Sequence, residues 1–113
     1  MRRWGLIIVT GLMSVTCEKA AYAELDLDKV NELARSCIAD HLSACHQYIT
    51  HAIDDLDNRR KIQGERGCFA GHSSDDQTMR TFIRAILAKY AYSDMPSPVA
   101  IQNIYHDNCA DKN

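Results

Sequence analysis

The stretch LSACHQYITHAIDDL, residues 42–56, decides the fold. Its apolar residues fall at Leu42, Cys45, Ile49, Ala52, Ile53 and Leu56, the three-and-four spacing of a helix with one buried face. Ser43 is placed to cap its start, and Asp54, Asp55 and Asp57 fall on or near its wet side. Cys45 stands near its beginning, and one loop beyond its end comes Cys68.

The flanking segments read as cover for this helix. Residues 24–40 predict a first helix, with Asp26 or Asp28 as cap and Leu27, Val30, Leu33 or Ala34, Cys37 and Ile38 turned inward. A corner at His41 and Leu42 makes the two helices antiparallel neighbours. The central helix should fray near residues 58–61, where Arg59, Arg60 and Lys61 complement its dipole. Residues 62–76 contain Gly64, Gly67 and Gly71 and read as a loop anchored by Cys68 and Phe69. Ser74 and Gln77 form a capping-box pattern that opens a third helix, with Met79, Phe82, Ile83, Ile86, Leu87 and Tyr90 on its apolar face. Residues 92–96 end that helix, since two prolines nearby cannot continue it, and Ser97 followed by Pro98 predicts the N-cap and first position of a last one over residues 99–107. Residues 111–113 should be loose. The expectation is an all-α bundle of about four to five helices, with one long loop between the second and third.

The first 23 residues read as a signal peptide, leaving residues 24–113 as a single domain. Met1-Arg2-Arg3 precedes the apolar run of residues 4–15, and Ala21-Tyr22-Ala23 has the small-x-small form of a signal peptidase site. A lipid attached to Cys17, or an N-terminal membrane anchor, are the competing readings. Cleavage after Ala23 would remove Arg2, Arg3, Lys19 and Glu18, moving the formal net charge from −2 to −4. Nothing in that charge suits a nucleic acid or an anionic membrane surface.

Export makes the cysteines informative. Cys37, Cys45, Cys68 and Cys109 remain after cleavage, an even set in a short exported chain, and so predict two disulfides. Three pairings are open. Cys37 with Cys45 and Cys68 with Cys109 is favoured, since the first would pin two helix ends around a turn and the second would fasten the long loop to the tail.

No motif argues for catalysis, a cofactor or a metal. His41, His46 and His51 recur every five residues, which spreads them around a helix. Cys37, His41 and Cys45 have ligand-like spacing, but an oxidising compartment favours a disulfide over thiolates. Cys68 with His72 or His106 could form a nucleophile and base only as a free thiol. Asp54, Asp55 and Asp57 read as a solvated face rather than as an acid–base pair. The turn containing Tyr92, Asp94 and Met95 has the contents of a protein-binding site. An alternative reading puts Tyr90 in the core and packs Tyr92 on the last helix. The glycine loop around Glu65, Arg66 and His72 is a second candidate surface.

One order of residues has a wider match. Cys37 ends a first helix. Cys45-His46-Gln47-Tyr48 and then Asp54 give Cys-x2-Tyr-x5-Asp, and Gly67-Cys68-Phe69, a helix led by Gln77 and the near-terminal Cys109 follow. This plan resembles the immunity proteins of type VI secretion amidase effectors, the Tai or resistance-associated protein family, over nearly all of residues 24–113. The chain departs from it at His51, at Ala70 and at Asp107-Asn108 before Cys109, where glycine, proline and Phe-Pro are frequent in the family. The resemblance implies a periplasmic, helical, dimeric inhibitor that fills the substrate groove of a cysteine–histidine amidase acting on peptidoglycan. A small periplasmic acid-stress chaperone is the alternative. It would be recognised by apolar surface exposed at low pH.

Overall fold

The computed structural model describes residues 26–38 and 42–112, the last three of these for the backbone alone. The expected leader and cleavage site, Cys17 and His41 lie outside the described residues. Four helices follow in order: α1 (Val30–Ile38), α2 (Leu42–Ile62), α3 (Asp76–Lys89) and α4 (Ser97–Lys112). Each contacts the other three. No described helix is long and apolar enough to cross a membrane.

The core forms where the apolar stripes meet. Val30, Leu33, Ala34 and Cys37 of α1 close on Cys45, Ile49 and Ile53 of α2. Met79, Phe82 and Ile86 of α3 and Ala100, Ile101, Ile104 and Tyr105 of α4 complete it. Phe69 reaches in from the loop and meets Phe82 edge-on at 5.4 Å between ring centroids, and Tyr105 at 5.5 Å. Both favoured disulfides are present, with Cα–Cα distances of 5.1 Å for Cys37–Cys45 and 5.4 Å for Cys68–Cys109.

Several local expectations are corrected. α1 starts at Val30, later than expected, and Asp26 caps a turn instead, its Oδ1 accepting the Asp28 N–H at 3.1 Å. Ile38 and Leu42, expected inside, are exposed beside the corner. Ser43 lies within the first turn of α2 rather than before it. α2 runs on through the three cations to Ile62 and closes in a Schellman turn. Glu65 N–H reaches the Arg60 carbonyl at 2.8 Å, Gly64 N–H reaches Lys61 at 3.0 Å, and Gly64 takes φ +82°.

The capping box at α3 does not form: Asp75 holds the N-cap position without a side-chain bond to the helix, and its carboxylate meets His72 Nδ1 at 2.7 Å. At α4 the Pro96 carbonyl accepts the N–H groups of Val99 and Ala100, and Ser97 opens the helix itself. That helix continues to Lys112, so Asp111 and Lys112 are helical rather than loose.

Asp57 is not on the wet face. It is half-buried, and its Oδ1 accepts both the Tyr105 hydroxyl at 2.5 Å and the Phe69 N–H at 3.2 Å. Tyr105 in turn accepts the Cys68 N–H at 3.2 Å. The loop therefore closes over α2 through one carboxylate, one phenol and one disulfide.

Candidate functional site

The turn after α3 is built from the backbone outward. Tyr90 caps the helix with its N–H on the Ile86 carbonyl at 2.9 Å, and the Ser93 N–H returns to the Tyr90 carbonyl at 3.1 Å. The Met95 N–H donates to the Ser93 hydroxyl at 3.0 Å. The carbonyls of this turn then serve α1, whose first N–H groups have no partners within their own helix. Met95 O accepts the Val30 N–H at 2.9 Å, and Ser93 O accepts the Asn31 N–H at 3.1 Å. Lys29 and Pro96 form an isolated antiparallel bridge beside these bonds.

This frame sorts the three residues singled out in the sequence. Tyr92 is fully exposed and Asp94 is exposed; among the described residues no hydrogen bond or ion pair engages either side chain. Met95 is half-buried on the core, as are Tyr90 and Ala91. Tyr92 does not pack on α4. The turn is thus a projection: an unpartnered phenol and carboxylate stand on a backbone held from below.

The bonds that support the turn have no local signature in the sequence, which offers Asp28 and Ser97 only as helix caps. The Ser97 N–H donates to the Asp28 carbonyl at 2.7 Å, and its hydroxyl donates to the Leu27 carbonyl at 2.5 Å. The Tyr48 hydroxyl donates to Asp28 Oδ1 at 2.8 Å. Burial and then the Asp28 carboxylate push the Tyr48 phenol well above its ordinary ionisation range, so it stays a donor. These residues are 20 to 70 positions apart in the chain, which no local pattern reveals.

The other candidates do not assemble a reactive centre. Cys68 is bonded to Cys109, and both Cys37 and Cys45 are oxidised. His46 is half-buried and His51, His72 and His106 are exposed; among the described residues no three metal-ligating side chains come together. Asp54 is exposed, and Asp55 pairs with Arg59 at 2.9 Å. In the glycine loop, Arg60 bonds the Arg66 carbonyl at 2.9 Å and Glu65 at 3.4 Å, leaving the Arg66 side chain exposed. A shallow hollow of about 310 Å³ lies between α2 and α4, lined by Tyr48, His51, Leu56, Arg59, Pro98 and Gln102. No family model, curated protein or solved structure matches this chain.

Proposed function

We propose that this chain is an exported immunity protein that binds a peptidoglycan amidase effector of a type VI secretion system and occludes its active site. One observation carries the reading: Tyr92 and Asp94 project from a turn whose carbonyls are already bonded to α1. A preorganised turn loses little conformational entropy when it enters a groove. A rigid aromatic ring contributes large contact area at small entropic cost. The residue order described above supplies the choice of partner. The two disulfides fit a periplasmic setting. A homodimer belongs to the same proposal.

The test is co-purification of residues 24–113 with any small cysteine amidase encoded beside its gene, together with protection of growth when that amidase is sent to the periplasm. Tyr92→Ala is expected to weaken binding by about 30-fold or more, the loss of a central aromatic anchor, with the helical spectrum unchanged. Absence of binding by the unaltered protein would sink the reading.

A further inference from the structure

The turn bearing Tyr92 and Asp94 owes its shape to a segment that precedes α1. Residues 27–31 run beside residues 93–97, and the two are joined in both directions. Val30 and Asn31 donate to the turn, at 2.9 Å and 3.1 Å, and Ser97 donates back to the Asp28 carbonyl at 2.7 Å. Beneath them the Ser97 hydroxyl, which is fully buried, meets the Leu27 carbonyl. Tyr48, from the second turn of α2, holds Asp28 by its carboxylate at 2.8 Å. The Asp28 backbone and side chain therefore engage two different elements, α4 through Ser97 and α2 through Tyr48.

We infer that Asp28, Tyr48 and Ser97 form a latch that fixes the 92–95 turn in its binding shape, so that partner affinity depends on residues that never touch the partner. The inference rests on the proposal that this turn is the binding surface. Its physical content is a population argument. A partner that accepts one conformation binds in proportion to the fraction of molecules that hold it. Each latch bond removed lowers that fraction, because one intramolecular hydrogen bond contributes about 0.5–1.5 kcal/mol.

The latch is read first in the free protein, by amide hydrogen exchange at Val30 and Asn31, whose N–H groups are the bonds to the turn. Tyr48→Phe and Asp28→Ala are expected to speed exchange there by about 3- to 10-fold, while amides in the middle of α2 keep their rates. Asp28→Asn retains an acceptor oxygen and should restore slow exchange. Tyr92→Ala should leave the exchange untouched. Against the amidase, Tyr48→Phe and Asp28→Ala are then expected to lose affinity by at most that factor, because affinity follows the latched fraction while exchange follows the unlatched one, and Asp28→Asn is expected to keep it.

Unchanged exchange in both Tyr48→Phe and Asp28→Ala overturns the latch. Faster exchange with undiminished affinity overturns its role in binding. If the unaltered protein binds no amidase, the functional proposal fails, and the exchange rates still decide whether the latch exists.

Discussion

Asp54, Asp55 and Asp57 look alike in sequence and have separate fates. The first is solvated, the second pairs with Arg59, and the third carries the loop. The difference lies in what approaches Asp57. A Cβ on Gly67 would stand 2.6 Å from Asp57 Cγ, so only glycine lets the loop come this close. Gly67→Ala is therefore expected to destabilise by about 1–3 kcal/mol, the cost of forcing an extra methyl into a packed contact, read as a lower urea midpoint. Tyr105 gives a second prediction. Burial first, and then the bond to Asp57, raise its phenol from 10.0 to about 12. The unfolded chain then loses this proton before the folded one does. The stabilisation is complete below the unfolded value near 10 and is lost as pH rises from there through the folded value near 12. Between pH 9 and 11 the unaltered protein should lose about 1 kcal/mol more stability than Tyr105→Phe, whose remaining pH dependence lacks this proton. At neutral pH, Tyr105→Phe itself should cost about 1–3 kcal/mol, because the Cys68 N–H is left without its acceptor. Equal alkaline slopes for the two proteins would contradict the role assigned to this hydroxyl.

At the level of elements, the periodic stretches were legible and the ends were not. The stripes at Val30, Leu33, Ala34 and Cys37, and at Met79, Phe82 and Ile86, follow directly from helical spacing, which repeats every turn and is hard to miss. Helix ends depend on single bonds that compete with alternatives. Ser74 and Gln77 have the spacing of a capping box, yet Asp75 takes the N-cap position and turns its carboxylate to His72. The first N–H groups of α1 find carbonyls from residues 93 and 95 instead of Asp26 or Asp28, a choice made by tertiary contact. The same holds for the candidate site: the exposed Tyr92 was readable from its turn, but Asp28 and Tyr48, which help to shape that turn, lie far away in the chain. A cap that is not used should be dispensable. Ser74→Ala is expected to change stability by less than about 0.5 kcal/mol, against about 1 kcal/mol for a working N-cap. Gly64→Ala should cost about 1 kcal/mol or more, because φ +82° in the closing turn of α2 suits glycine and strains alanine. Thermal unfolding of the two variants side by side checks both.

The whole molecule is small for the work its core must do. A domain of this size buries a modest share of its surface, and crosslinks supply what packing cannot. The two disulfides are unequal in this respect. Cys37–Cys45 closes a separation of 8 residues and Cys68–Cys109 one of 41. Chain entropy in the unfolded state assigns about 2.5 kcal/mol to the first and about 4 kcal/mol to the second. The longer link also joins a loop that has other attachments: Phe69 in the core, its N–H on Asp57, and the Cys68 N–H on Tyr105. Those contacts should keep the fold intact when the sulfurs are removed, so the loss is measurable as stability rather than seen as collapse. Replacing Cys68 and Cys109 together by alanine is expected to lower the unfolding free energy more than replacing Cys37 and Cys45, by about 1.5 kcal/mol in urea titrations. The reverse order would mean that native packing at the α1–α2 corner, and not loop closure, sets what these bonds contribute.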